Sequence, residues 1–214
     1  MKKLLSTSAL GLMAIGASVS SAYAQDAVRF APLKIEELTP TQKTFADMLT
    51  TPPRNGNFNN PPYRAYIRSP ELAQKLIGLA EYLRWHSSLP PRLSELAILI
   101  TAREWTAQYE WYAHYPQAMK GGLSPAVAAA IAEGKRPENM KDDEQALYDL
   151  ATSLYRERKV SDAVYKAALD QLGERGIVDM IGIIGFYDIT SMTLITMQAG
   201  VPDGKPLPLR ELAK

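Results

Sequence analysis

Hydrophobic residues recur every three or four positions along most of this chain, which is the period of an α-helix. Four leucines between Leu72 and Leu83 form the clearest stripe, and Ser69-Pro70 before them has the composition of a helix start. This pattern predicts a helix from Pro70 to Trp85. Since no segment alternates apolar and polar residues between hairpin turns, we expect an all-α fold.

Proline, glycine and serine signals divide the rest of the chain into further predicted helices. These cover residues 41–49, 93–105, 111–119, 125–133, 142–158, 162–172 and 177–197. The helix at 93–105 is apolar on most sides, which predicts a place in the centre of the domain. Residues 54–62 are rich in turn formers, and a loop of this length indicates either the mouth of a site or a contact between subunits.

The first 24 residues have the composition of a secretory signal peptide. Met1-Lys2-Lys3 is basic, residues 4–19 are a short apolar run, and Ala22-Tyr23-Ala24 has the small residues of a cleavage site. Cleavage after Ala24 would leave residues 25–214 as a single domain with an N-terminal arm, periplasmic or secreted. The absence of cysteine is compatible with an oxidising compartment.

Composition and charge exclude some partners. The chain has 24 Lys and Arg against 23 Asp and Glu, a net charge of +1, so we expect no nucleic-acid binding. The apolar segment 177–197 is almost long enough to span a bilayer, but Asp179 and Asp188 would each cost about 3 kcal/mol there. We therefore expect this segment in the core or in a subunit interface, with no membrane span.

The candidate chemistry lies in two neighbouring predicted helices. Glu110 and His114 are four residues apart, so a helix places a carboxylate and one of only two imidazoles on one face. Glu95 stands in an apolar run, where an ionised carboxylate needs a partner or a raised pKa. A purely structural alternative pairs His114 with Glu110, and Glu95 with Arg92 or Arg103. Spacing alone leaves both interpretations open.

A metal site is a further alternative. Catalytic zinc usually takes three protein ligands, and Glu110 with His114 supplies two, so Glu95 or a neighbouring subunit would have to complete the set. Such a site would make the protein a metal-dependent hydrolase or oxygenase. The interpretation that we favour needs no metal and no cofactor.

The order Glu95, Ala107, Glu110, His114 resembles the active-site signature of the AhpD-like, carboxymuconolactone decarboxylase superfamily, and the resemblance covers residues 29–207. In the peroxidase branch the signature is Glu, then Cys-x-x-Cys, then His, and here Ala107 and Glu110 occupy the cysteine positions. Peroxide reduction in that branch needs an attacking thiolate and a resolving thiol. Because the chain has no cysteine, thiol peroxidase activity is excluded, and the chain is similar to the cysteine-less, decarboxylase-like branch.

The resemblance implies an AhpD-like helical bundle that assembles as a homo-oligomer, commonly a trimer or hexamer. It also implies that Glu95, Glu110 and His114 are the catalytic, proton-handling residues. Its substrate would be a small carboxylate or lactone.

Three residues are predicted to bind that substrate. Arg103 is the arginine that we expect to hold a substrate carboxylate, ahead of Arg84 and Arg92. Trp111 is expected to pack the helix pair and shape an apolar pocket. Tyr187, in a Gly-x-Tyr sequence that resembles the family, is expected to point its hydroxyl into this pocket.

Together these residues predict a lyase or isomerase that moves protons on carbon beside the carbonyl of a lactone or oxo-acid. The family's aromatic-degradation decarboxylases act inside the cell, whereas the leader predicts export, so we expect a distinct substrate. The alternative is a non-catalytic exported domain that binds a small acid or forms a structural oligomer. In that case Glu110 and His114 would be a buried polar network.

Overall fold

Eight α-helices follow one another in residues 29–202 and 205–212, the part of the chain that this computed structural model describes. They are α1 (Pro40–Thr50), α2 (Tyr63–Tyr66), α3 (Pro70–Trp85), α4 (Pro91–Trp105), α5 (Gln108–Lys120), α6 (Pro125–Ala132), α7 (Asp142–Thr152) and α8 (Asp162–Thr196). No strand occurs in these residues, so the all-α prediction is confirmed. The predicted signal peptide at residues 1–24 lies outside the described residues.

Helix α4 is the centre of the fold and packs against α5, α6, α7 and α8. Every residue from Glu95 to Arg103 is buried. This arrangement confirms the prediction from its apolar composition, because a helix that is apolar on most sides needs neighbours on most sides.

Most helix bounds lie close to the predicted ones. Helix α3 runs from Pro70 to Trp85 as predicted, although the Ser69 side chain forms no capping hydrogen bond. The helix predicted at 142–158 ends earlier, at Thr152, because the chain continues into a π-helical turn over Ser153–Glu157. Arg158 then adopts a left-handed conformation with φ 55° and stops the helix.

Helix α8 is interrupted at Gly173, which has φ 69° and ψ 168°. This break confirms the predicted end of a helix at residue 172, and glycine is the residue that adopts such a conformation without a steric penalty. A Cβ on Gly182 would lie 3.0 Å from Leu83 Cδ2, so α3 and α8 approach closely there. A Cβ on Gly185 would meet no neighbouring atom of the described residues within 4 Å, so this glycine does not mark a close approach.

The two acids of the apolar half of α8 are bound by neighbouring side chains. Asp179 is buried and accepts hydrogen bonds from the Tyr82 hydroxyl (2.9 Å) and from the backbone N–H and hydroxyl of Ser88 (2.7 Å each). Asp188 accepts from the Trp105 indole N–H at 2.6 Å. By length and composition α8 could cross a membrane, but 56% of its most apolar window is buried inside the fold. These contacts favour a core helix.

The C-terminal residues return to the start of α5. The Gln108 side chain donates to the Leu209 carbonyl at 2.6 Å and accepts from the Leu209 N–H at 3.0 Å. Leu209 itself is 2% exposed. The end of the chain is therefore packed against the helix that carries Glu110 and His114.

Candidate active site

The His114 imidazole lies between two carboxylates. Its Nδ1 is 2.7 Å from Glu95 Oε2, and its Nε2 is 3.1 Å from Glu110 Oε1. All three residues are buried. Glu110 reaches His114 from the preceding turn of α5, as the four-residue spacing predicts, whereas Glu95 comes from α4. The structure therefore brings together the three ionisable groups that the sequence singled out.

A tight turn between α4 and α5 creates this convergence. Thr106 ends α4 in a left-handed conformation, with φ 52°, and α5 begins two residues later. The two helices then run antiparallel in close contact, which sets the middle of α4 opposite the middle of α5. Ala107, which stands where the peroxidase branch has its first cysteine, is buried in this turn.

The two glutamates keep His114 protonated. Burial alone would lower the pKa of the imidazole, but the charges and hydrogen bonds of Glu110 and Glu95 stabilise the cation and raise the pKa from 6.5 to about 9. At neutral pH His114 is therefore an imidazolium with a proton on each ring nitrogen. Among the residues that the structure describes, no group of three or more His, Cys, Asp or Glu side chains could hold a metal ion.

Glu110 and His114 face a pocket of about 570 Å³ between α3, α5 and α8. The segment before α2 forms its mouth, where Pro53, Arg54 and Asn60 contribute to the wall. Of the two roles that the sequence left open for this loop, the structure supports the mouth of a site. The pocket is large enough for a small-molecule ligand.

Arg84 and Tyr187 stand beside His114 in this pocket. The Tyr187 ring is edge-on to the imidazole, with centroids 5.0 Å apart, and its hydroxyl accepts a hydrogen bond from Arg84 Nη1 at 3.2 Å. Burial raises the pKa of Tyr187, and this outweighs the opposing effect of Arg84, so the hydroxyl stays protonated. Tyr187 thus lines the pocket, as the resemblance implied, and it lies on α8.

Two further cations line the pocket, Arg54 and Lys120. Arg54 Nη1 donates to the Tyr63 hydroxyl at 3.3 Å, and its guanidinium lies 5.1 Å from the centre of the Trp85 ring. Its Nη2 is buried and has no hydrogen-bond partner in the described part of the chain. A buried, unpaired guanidinium N–H favours an anionic ligand, because leaving it unsatisfied costs free energy.

Sequence reasoning missed the end of the pocket that is formed by Tyr66 and Thr190. The two hydroxyl oxygens are 3.1 Å apart, and burial raises the pKa of Tyr66 to about 12. Tyr63 and Tyr66, three residues apart after a proline-rich loop, were the available signal. The four-residue helix α2 that carries them is too short to give a clear pattern.

The prediction that Arg103 binds substrate is not supported, because Arg103 lies outside the pocket wall. Its guanidinium donates to the carbonyls of Ala132 (3.1 Å) and Arg210 (2.9 Å) and to the Thr106 hydroxyl. Arg103 lies eight residues beyond Glu95 on α4, which separates the two residues by about 12 Å along the helix axis. Arg103 therefore fastens the C-terminal segment to α4.

Arg92 and Trp111 also have structural surroundings. Arg92 Nη2 is 2.7 Å from Asp143 Oδ2 and its Nη1 is 2.6 Å from Glu144 Oε1, so neither Arg92 nor Arg103 is the partner of Glu95. Trp111 is 4% exposed and stacks on Tyr115, with ring centroids 6.4 Å apart. Trp111 follows Glu110 by one position, about 100° around the helix, and thus faces the core and does not line the pocket.

Arg103→Met is expected to lower the free energy of unfolding by about 2 kcal/mol, because it leaves two part-buried carbonyls without a charged donor. Ligand binding in the pocket should be unchanged. Urea denaturation measures the first quantity, and Arg156→Met, which removes an arginine of an exposed ion pair with Glu104, is the control. Weaker binding with unaltered stability would instead support the substrate-binding role.

Part of the sequence matches a known protein family. Residues 70–153, which include all three residues of the Glu95–His114–Glu110 cluster, match the model of the carboxymuconolactone decarboxylase family. No curated protein matches the sequence.

A solved structure with a similar fold is that of an Agrobacterium tumefaciens protein of unknown function, described as a candidate antioxidant defence protein AhpD. The two chains are 16% identical, with a TM-score of 0.58 over 64% of this chain and 95% of the other. This likeness shows that the fold is AhpD-like. Residues 70–153 are therefore similar to the carboxymuconolactone decarboxylase family, in a chain that has an AhpD-like fold and no cysteine.

Proposed function

We propose that this protein is a lyase or isomerase that moves protons on the carbon beside the carbonyl of a small lactone or oxo-acid. The observation that carries the proposal is the buried imidazolium of His114 between two glutamates at the wall of a pocket. Buried acid–base clusters with shifted pKa values in a pocket are typical of catalytic sites. The family match supports a related function.

The reaction needs three contributions from the site. When a carboxylate leaves as carbon dioxide, or a proton is removed, beside a carbonyl, the electron pair of the broken bond forms an enolate. Arg84 and the protonated hydroxyl of Tyr187 can stabilise the enolate oxygen. His114 and Glu110, which line the pocket, can then deliver a proton to carbon or remove one.

The charges of the pocket favour an anionic substrate. Two acidic side chains and one imidazolium give the cluster no excess of positive charge to attract a carboxylate. Arg54, Arg84 and Lys120 line the same pocket and supply that positive charge. We therefore propose a substrate that carries at least one carboxylate.

A panel of lactones and oxo-acids in D₂O tests the proposed function. We expect at least one member either to take up deuterium at the carbon beside its carbonyl or to release carbon dioxide. Proton NMR detects both reactions, because the first removes the signal of the exchanged proton and the second removes the signals of the substrate. If carboxylates bind but no member exchanges or decarboxylates, the protein is the non-catalytic small-acid-binding domain that the sequence left as the alternative.

Arg84→Gln is expected to raise KM for a carboxylate substrate by about 10- to 100-fold, since charge-assisted hydrogen bonds contribute about 1.5–3 kcal/mol. The control is Arg136→Gln, an arginine of an exposed ion pair far along the sequence. A KM that is the same in Arg84→Gln and in the control would show that Arg84 does not bind the carboxylate.

Export and self-association are part of the proposal. The composition of residues 1–24 supports export, and the resemblance supports a trimer or hexamer. Helix α8 leaves an exposed apolar stripe that includes Val178 (66% exposed), Ile181 (48%) and Ile195 (46%), which suits burial against another copy. Light scattering of the purified mature chain measures the assembly.

A further inference from the structure

A second, smaller cavity of about 230 Å³ lies between α3, α4 and α8. Glu95 lines this second cavity and does not line the larger pocket. Glu110 and His114 line the larger pocket and do not line the second cavity. The two glutamates that hold the imidazole thus face different spaces.

Three side chains line both spaces and separate them: Arg84, Trp85 and Tyr187. The rim of the second cavity includes Trp85, which is 39% exposed, and the exposed Pro91, so the cavity reaches the surface of the single chain. The Glu95 side chain keeps 11% of its accessible surface. Ser87 and Ser94 add polar groups to its wall. A space of this size with several polar groups can hold water.

We propose that the second cavity is a proton port, through which Glu95 and the Nδ1 proton of His114 exchange with solvent independently of the substrate pocket. The use of this port during turnover rests on the proposed function, whereas the exchange itself does not. Glu95 is then a positioning and proton-exchange residue, and not one that touches substrate.

The exchange step is balanced in protons. The Nδ1 proton of the imidazolium moves to Glu95 Oε2, which leaves a neutral imidazole that is protonated on Nε2 and a carboxylic acid. The acid then gives that proton to water in the second cavity, or returns it to Nδ1. Through these steps the cluster gains or loses one proton while Nε2 keeps its own.

This separation matters when a ligand fills the larger pocket. A bound substrate covers Glu110 and His114, which line that pocket, and does not cover Glu95, which lines the second cavity. The protonation of the cluster can still equilibrate with solvent through Glu95. The site can therefore change between a cationic and a neutral proton donor without releasing the substrate.

The test is NMR of the two ring N–H protons of His114 in the full mature chain, with ¹⁵N-labelled histidine. His86→Gln in all samples removes the only other imidazole of the chain. Ser94→Leu and Ser87→Leu fill the second cavity from two different walls, and Ala113→Leu fills the larger pocket beside His114. Saturation transfer from water measures the exchange rate of each proton.

We expect both serine variants to slow exchange of the Nδ1 proton about tenfold or more, because exchange would then need local opening of the fold. The Nε2 proton should be slowed by Ala113→Leu and not by the serine variants. If fast exchange makes the Nδ1 proton signal invisible in the parent protein, the appearance of this signal in the serine variants also shows that its exchange has been slowed. An unchanged Nδ1 rate in both serine variants, or slowing by Ala113→Leu alone, overturns the proposal.

This experiment is independent of the proposed function. The exchange rates are measured without substrate, so the port can be present in a protein that has no turnover. Conversely, His114→Gln can abolish turnover while the exchange rate of the Nδ1 proton is the same with the second cavity open or filled. That pair of results would contradict the proton port and still support the enzyme.

Discussion

Replacing His114 with glutamine is expected to slow proton transfer to the substrate by about 10²–10⁴, which is the usual contribution of a positioned general acid or base. Glutamine keeps a polar N–H near the two glutamates but cannot carry or release a proton at neutral pH. The loss should appear in kcat, with KM little changed, because Arg84 and the other cations of the pocket remain. The deuterium-exchange assay described above measures it.

The control for this variant is His86→Gln, since His86 lies at the exposed end of α3. Glu110→Gln should also lower kcat, because Glu110 faces the pocket and stabilises the imidazolium. A His114→Gln protein that is folded by circular dichroism and retains the full rate would end the catalytic proposal.

Raising the pH from 6 to 9 is expected to destabilise the fold by on the order of 3 kcal/mol through His114 alone. The folded pKa of His114 is about 9, above the value of 6.5 for an unperturbed histidine. A group whose pKa is raised by folding stabilises the protein fully below its unfolded pKa, and this stabilisation is lost as pH rises through the folded pKa. Each pKa step corresponds to about 1.4 kcal/mol.

Urea denaturation at pH 6, 7, 8 and 9 measures this dependence. Few other groups titrate in this window, since the chain has no cysteine and only two histidines. His86→Gln should retain the decline, because His86 is exposed, whereas His114→Gln should flatten it. An equally steep decline in His114→Gln would show that another group is responsible.

The contact of Glu110 with His114 could be predicted from the sequence because that information is local. Glu110 and His114 meet through a four-residue helical spacing, which any helix at this position enforces. Glu95 required more, since its partner depends on how α4 and α5 pack after a two-residue turn. The apolar residues around Glu95 in the sequence showed only that its carboxylate needed a partner. The resemblance to the family indicated that this partner is His114.

The remaining pocket residues depend on tertiary packing that a single sequence does not reveal. Arg84 and Arg103 both flank the acidic residues in sequence, yet α3 directs Arg84 into the pocket while Arg103 points toward the C-terminal segment. The choice between them depends on helix rotation, and a rotation of one residue is about 100°. Arg54 comes from an irregular loop, where periodicity gives no prediction.

The contact of Gln108 with Leu209 has a practical consequence for work with this protein. An affinity tag fused after Lys214 would be tethered five residues from a side chain that is packed beside the helix that carries Glu110 and His114. Weak activity of such a fusion would then report distortion by the tag, and a screen could discard the correct substrate. A cleavable tag joined to Gln25 keeps the far end of the polypeptide native.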